Sequence, residues 1–312
     1  MNFSDRLIKA IDDKQNPSCV GLDQRILDIP EEIRKEAEKK YGNNFQGISY
    51  AIVEFNKRII DSIKDIVPVV KPQISFYECY GSQGMEAFIK TINYAKKSKL
   101  IVIADVKRND IGSTAEAYAY GFLGHVPMLD GTKSVSIDAD SITVNPYLGS
   151  DGIRPFVEAC KDFEKGIFIL CKTSNPSSSE IQDKIVEGKS IYEIVAEMIN
   201  NLSKGTQGNS GYNSIGAVVG ATYPEQAKKI RSIIPKSFFL VPGYGAQGGS
   251  AKNTTSCFNN DGYGAIINSS RDIIFAYKKI LDKKFDEASR IAAEKMKEDI
   301  SKSMKEEGIY PW

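Results

Sequence analysis

Eight short apolar runs alternate with stretches of helical periodicity along 312 residues, and this alternation constrains the fold more than any other feature. The runs are Cys19–Leu22, Val67–Lys71, Leu100–Val106, Ser141–Val144, Gly166–Cys171, Ile215–Gly220, Phe238–Val241 and Ala265–Asn268. Each is rich in Ile, Val or Phe and ends in polar, Gly or Pro residues, the pattern of strands buried on both faces. Between them, Ile48–Ile66 sets Ile52, Phe55, Ile59, Ile63 and Ile66 at helical spacing, and Met85–Lys97, Ser190–Leu202, Tyr223–Ile233 and Asp272–Lys283 read similarly. Repeated strand–helix units predict an α/β chain with a parallel sheet closed into a (β/α)8 TIM barrel. A doubly wound open sheet uses the same alternation, so periodicity alone leaves closure open. A barrel of this kind needs about 250 residues. The surplus has visible homes: a charged helical insertion at Asp28–Gly47, polar stretches at Ser174–Lys189 and Lys204–Asn213 flanking a helix, and a charged amphipathic helix over Phe285–Trp312. No domain-sized linker and no repeat at a solenoid period interrupts the pattern, so residues 1–312 are predicted to form one barrel domain with insertions at 28–47 and 174–213.

Composition narrows the function classes. Hydrophobic residues make up 41%, enough for a large core, and the formal net charge is +1. No field of one sign points to nucleic acid or to an anionic membrane, so any anion must be held by a local site. The five cysteines, Cys19, Cys79, Cys160, Cys171 and Cys257, include no C-x-x-C pair, and His125 is the only histidine. Neither a disulfide framework nor a His/Cys metal site is expected. The N-terminal stretch Met1–Asp13 reads as an amphipathic helix with Phe3, Leu7, Ile8 and Ile11 on one side, not as a signal peptide. No run is long enough to span a bilayer, and a reducing cytoplasm is the expected address.

The most informative chemistry lies at the end of the third strand, in Ile103-Ala-Asp-Val-Lys-Arg-Asn-Asp-Ile-Gly-Ser-Thr114. Alternating strand side chains point Asp105 and Lys107 into the same barrel mouth, with Asp110 following in the loop. Functional residues of such barrels sit at the carboxyl ends of strands. A structural ion pair closing the barrel is the other reading of a lone D-x-K. Lys71, ending the Val-rich second strand, adds a second lysine to the mouth, and Asp23 at the end of the first adds an acid that could equally be a turn or capping residue. Two glycine-rich segments, Val241-Pro-Gly-Tyr-Gly-Ala-Gln-Gly-Gly249 and Ile266-Ile-Asn-Ser-Ser-Arg271, follow the seventh and eighth strands. That is where this fold holds phosphate, on backbone N–H groups and a helix N-terminus, with Arg271 available for a bidentate grip. Flexible turns are the competing reading of the glycines. After the fifth strand, Thr173 and Ser174 could hydrogen-bond the edge of a polar ring. His125 has no partner at useful spacing and reads as structural.

These motifs resemble the orotidine 5′-monophosphate decarboxylases. The shared marks are Asp105-x-Lys107-x-x-Asp110 with Thr114, Gly21-Leu-Asp23, Lys71, Thr143-Val-Asn-Pro-Tyr-Leu-Gly149, Thr173-Ser-Asn-Pro176, Pro242-Gly-x-Gly-Ala-Gln-Gly248 and Ser269-Ser-Arg271. They occur in the family's order over residues 19–271, and the longer insertions resemble a bacterial subgroup with parasite relatives. The chain departs from the pattern at Ile111-Gly112, where many members carry Ile-Pro. The resemblance implies a cofactor-free and metal-free decarboxylation of orotidine monophosphate to UMP. It makes Lys107 the proton donor to carbon 6, sets Asp105 beside the departing carboxylate, and has Asp110 orient Lys107 from the partner subunit of a homodimer. Lys71 and Asp23 would hold the ribose hydroxyls with Thr114 again in trans, and Ser174 would read the pyrimidine edge. Pro242 belongs to the substrate-binding loop, and Gln247 and Arg271 would hold the phosphate. Two rivals remain. A sugar-phosphate lyase or decarboxylase of the same barrel would keep the Asp/Lys row but recruit Mg²⁺ through further acids. A non-catalytic nucleotide-binding barrel would need no charged row at all.

Overall fold

The computed structural model describes residues 1–245 and 249–312. Eight parallel strands close into a barrel: β1 (Ser18–Leu22), β2 (Val69–Pro72), β3 (Ile101–Arg108), β4 (Ser141–Val144), β5 (Gly166–Lys172), β6 (Asn213–Val219), β7 (Ser237–Val241) and β8 (Ala265–Ser269). Each strand pairs with its neighbours in sequence, and β8 returns to β1 with Ser18 opposite Ile267 and Cys19 opposite Asn268. That last pairing excludes the open sheet. Every residue of β1, β2, β4, β7 and β8 is buried, which is why these strands read as unbroken apolar runs rather than alternating ones.

The core has two layers. Inside the barrel, Val69, Ile101, Ile103, Phe168, Phe238 and Ile266 pack on one another, and α1 (Phe3–Lys14) plugs the bottom with Phe3, Leu7 and Ile11. Phe3 meets Phe168 edge-on at 6.0 Å. Gly166 starts β5 because a Cβ there would stand 2.2 Å from the Phe3 ring. The second layer lies between the strands and the outer helices α2 (Glu31–Tyr41), α3 (Phe45–Ile63), α4 (Gly81–Lys97), α5 (Gly112–Leu123), α6 (Ser150–Asp162), α7 (Ile191–Leu202), α8 (Pro224–Ile233) and α9 (Phe285–Glu306). On α3, Ile52, Phe55, Ile59 and Ile63 form the buried stripe, and Phe55 stacks on Phe275 at 6.0 Å and on Phe285 at 5.4 Å. The C-terminal helix α9 is thereby docked against α3.

Three features differ from the sequence reading. The stretch 272–283 is not one helix: it breaks into a turn at Arg271–Ile274 and a 3₁₀ turn at Ala276–Lys278. Ile273, Ile274, Phe275 and Ala276 are all buried, and four consecutive buried positions cannot share one stripe of a surface helix. Helices α5 and α6 form where no clear period was marked; α5 is rich in Tyr, Ala and Gly, and α6 carries Pro155 in its interior. Finally, His125–Pro127 and Lys133–Val135 pair as an exposed antiparallel hairpin between α5 and β4.

Candidate active site

At the carboxyl end of the barrel, four donors converge on one carboxylate. Asp105 Oδ1 accepts from Lys107 Nζ at 2.6 Å and from Thr143 Oγ1 at 2.8 Å, while Oδ2 accepts from Lys71 Nζ at 2.9 Å and from Gln73 Nε2 at 3.0 Å. Lys71 Nζ also lies 3.9 Å from Asp23 Oδ1, so the order across the mouth is Asp23, Lys71, Asp105, Lys107. Lys71 and Asp105 are buried, whereas the Lys107 side chain is 46% exposed and opens toward solvent.

The row is set by a distortion of β3. Lys107 has φ +45°, a left-handed conformation that a lysine seldom adopts, and the β3–β4 register shifts between Ala104 and Arg108. Such a residue costs on the order of 1–3 kcal/mol and persists where its surroundings hold it. Here the Lys107 N–H donates to Thr143 Oγ1 at 2.9 Å, and the same oxygen donates onward to Asp105. Strict alternation predicts the correct face for Lys107, but a bulge braced by Thr143 delivers it.

Burial opposes the charge on Asp105, but Lys71 and Lys107 outweigh it and hold the carboxyl well below the usual range. Burial likewise disfavours the Lys71 ammonium, and Asp105 and Asp23 more than compensate, raising its pKa. The sign of each shift fixes its pH dependence. The lowered Asp105 stabilises the fold above the ordinary aspartate range and loses this only in stronger acid; the raised Lys71 does so below the ordinary lysine range. Between about pH 5 and 9 both stay charged, so neither shapes a pH–rate profile there.

The row walls a cavity of about 610 Å³, the size of a small-molecule site. Its lining is chemically divided. Asp23, Lys71, Asp105, Lys107 and Thr143 are polar or charged, whereas Leu170, Val218 and Leu240 are apolar. Pro242, Gly243, Ser269, Ser270 and Arg271 line the remaining rim, and Thr173 and Ser174 line it after β5. Gly21 admits this close packing, since a Cβ there would fall 1.9 Å from Ser270 Oγ. The loop after β7 turns through Gly243 (φ +105°) and Gly245 (φ +77°), and the Gly249 N–H donates to the Gly243 carbonyl at 3.0 Å to close its base.

Most of the predicted residues meet here, with three exceptions. Asp110 and Thr114 do not line the cavity of the single chain; Asp110 Oδ1 accepts from its neighbour Ile111 N–H at 2.8 Å, and Thr114 is exposed at the start of α5. Gln247 lies outside the described residues. The helix expected behind Arg271 is only four residues long, so its dipole adds less to anion binding than a full helix would. His125 does not line the cavity and sets its ring 4.9 Å from that of Phe163. Among the described residues, no group of three His, Cys, Asp or Glu side chains could hold a metal ion, and no helix is long and apolar enough to cross a membrane.

The sequence reading missed the roles of Thr143, Gln73 and Lys172. Thr143 and Gln73 complete the coordination of Asp105, and no spacing rule marks a lone Thr on another strand. Lys172, at the end of β5, is fully buried, with Nζ 2.8 Å from Asp183, 3.0 Å from Ser178 Oγ and 4.4 Å from the Tyr223 ring centre. Lys172→Ala is expected to destabilise the protein by about 3 kcal/mol, because it strips a partly buried carboxylate of its counter-charge. Urea unfolding checks this, and a loss below ~1 kcal/mol would contradict it.

A profile of the orotidine 5′-phosphate decarboxylase / HUMPS family matches residues 18–280. The chain belongs to this family. The orotidine 5′-phosphate decarboxylase of Caldicellulosiruptor bescii is 45% identical over 301 residues, covering 96% of this chain and 98% of that one. That of Clostridium acetobutylicum is 43% identical over 303 residues, with 96% and 99% covered. Among solved structures, the OMP decarboxylase of Leishmania donovani matches with a TM-score of 0.72 at 29% identity, over 97% of this chain and 98% of that one. The departure from the decarboxylase pattern at Gly112 has a structural basis. Gly112 has φ +52°, which proline, fixed near −65°, cannot adopt.

Proposed function

We propose that this chain decarboxylates orotidine 5′-monophosphate to UMP and CO₂, a step of pyrimidine biosynthesis, as the names of its relatives indicate. One observation carries the mechanistic reading: a buried carboxylate, Asp105, held between two lysines that both line the cavity, Lys71 buried and Lys107 half-exposed. The substrate carboxylate sits beside Asp105, carbon 6 faces Lys107 Nζ, and the leaving CO₂ is replaced by a proton from that ammonium. Lys71 and Asp23 hold the ribose hydroxyls, Ser174 reads the pyrimidine edge, and Arg271 with Gln247 and the Pro242–Gly243 segment holds the phosphate.

Magnitudes rank the contributions. Two like charges ~4 Å apart repel by about 4 kcal/mol at an effective dielectric near 20. Decarboxylation without an electron sink needs on the order of 20 kcal/mol of barrier lowering. Repulsion between Asp105 and the substrate carboxylate is therefore a minor share. A fixed cation at the developing carbanion contributes more, as does binding energy drawn from the phosphate. The Mg²⁺-dependent sugar-phosphate reading is disfavoured at Asp105, whose two oxygens already accept from Lys71, Lys107, Thr143 and Gln73.

We read residues 1–312 as one domain that works in the cytoplasm as a homodimer with shared sites. Asp110 and Thr114 do not line the cavity of their own chain, and Ile111, Met128, Leu129, Val135, Tyr147 and Leu148 leave large apolar surface exposed on the same segment. Such surface marks an interface. Orotidine monophosphate should lose its absorbance with this protein, and hexulose and pentulose phosphates should be untouched. Turnover of a sugar phosphate in preference to the nucleotide would overturn the assignment.

Arg271→Ala should raise KM by about 100-fold and lower kcat less. A phosphate contact persists from ground state to transition state, so most of its loss is uniform binding. Steady-state kinetics check the split, and an unchanged KM with a collapsed kcat would contradict the role.

A further inference from the structure

The segment after β5 is held by a bracket that the proposed reaction does not require. Gln182 spans back to the cavity wall and grips Thr173 twice. Its Oε1 accepts from the Thr173 N–H at 2.9 Å, and its Nε2 donates to Thr173 Oγ1 at 2.8 Å. Thr173 Oγ1 in turn donates to Asn175 Oδ1 at 2.6 Å. Gln182 itself lines the cavity beside Thr173, Ser174 and Asn175. Its position is pinned from the next residue, since Asp183 pairs with the fully buried Lys172. Ser174 also packs closely on Gly220, where a Cβ would fall 2.8 Å from the Ser174 Cα, and the Gly220 N–H donates to the Lys172 carbonyl at 2.7 Å.

We infer that Gln182 is a positioning residue for base recognition, and that the polar stretch that carries it, within Ser174–Lys189, holds the Thr173–Asn175 edge rigid against the nucleobase. The inference rests on the proposed function, in which this edge faces the pyrimidine. The reasoning is energetic. A hydrogen-bonding edge discriminates only if its groups are fixed before the ligand arrives, because ordering them on binding consumes affinity. Two hydrogen bonds to one threonine, anchored by a buried ion pair in the adjacent residue, fix it in advance. Among the described residues, the Gln182 side chain bonds to Thr173 and not to Arg271 or the charged row, so its removal should be felt at the base and not at the phosphate or ribose.

The test compares two ligands on the intact protein. Gln182→Met keeps the side-chain length and removes both hydrogen bonds; Gln182→Ala is the second variant, and thermal unfolding verifies that both fold. Affinity for UMP should fall about tenfold, as expected for one to two lost hydrogen bonds. Affinity for ribose 5-phosphate, which lacks the base, should stay within about twofold. Unchanged UMP affinity overturns the inference, and so does equal weakening of both ligands, which would mean a general distortion of the cavity. The underlying reading fails separately: wild-type protein that binds UMP no better than ribose 5-phosphate would remove base recognition itself.

Discussion

Lys107→Ala is expected to lower turnover of orotidine monophosphate by at least about 10⁴-fold while leaving the protein folded. General-acid catalysis and electrostatic stabilisation of a developing charge are each worth ~10²–10⁴-fold, and this one ammonium supplies both. The fold should tolerate the change because the Lys107 side chain is half-exposed and Asp105 keeps Lys71, Gln73 and Thr143 as donors. Alanine keeps the Cβ, so the left-handed backbone at position 107 carries the same strain in the variant as in the wild type. Turnover within tenfold of wild type would show that the proton comes from elsewhere.

The second large effect concerns Asp110. Among the described residues of its own chain, no hydrogen bond or ion pair joins it to Lys107, and it does not line the cavity. If it serves the partner's site across a two-fold axis, Lys107→Ala and Asp110→Ala are each inactive alone yet complement when mixed. In a mixed dimer, one site carries both lesions and the other draws Lys107 from one chain and Asp110 from its partner. Random refolding makes half the dimers mixed, so about a quarter of wild-type activity should return. A mixture as inactive as either parent, with mixed dimers shown to form, would confine Asp110 to its own subunit.

How much of this was legible in the sequence depends on the kind of information each feature carries. The eight strands were readable because burial on both faces leaves unbroken apolar runs, and the charged row because Asp105 and Lys107 stand two apart at a strand end. Closure was not readable, since it depends on the pairing of β8 with β1. Neither was the bulge at Lys107, because a left-handed lysine has no local signature and is imposed by Thr143 from the next strand. The helix expected over 272–283 failed for a related reason: tertiary burial of Ile273–Ala276 overrode a local period. Thr173 and Ser174 were visible as candidate base-reading groups, but Gln182 and Lys172, which hold them, were not, because their contacts cross a loop with no fixed spacing.

The most direct test follows one turnover with enzyme in excess of orotidine monophosphate, in buffer stripped of metal ions by a chelator. UMP and CO₂ should appear mole for mole, at a rate that addition of Mg²⁺ does not change. Absence of UMP, or UMP formed only once a divalent ion is restored, would contradict decarboxylation by the Asp105–Lys107 row.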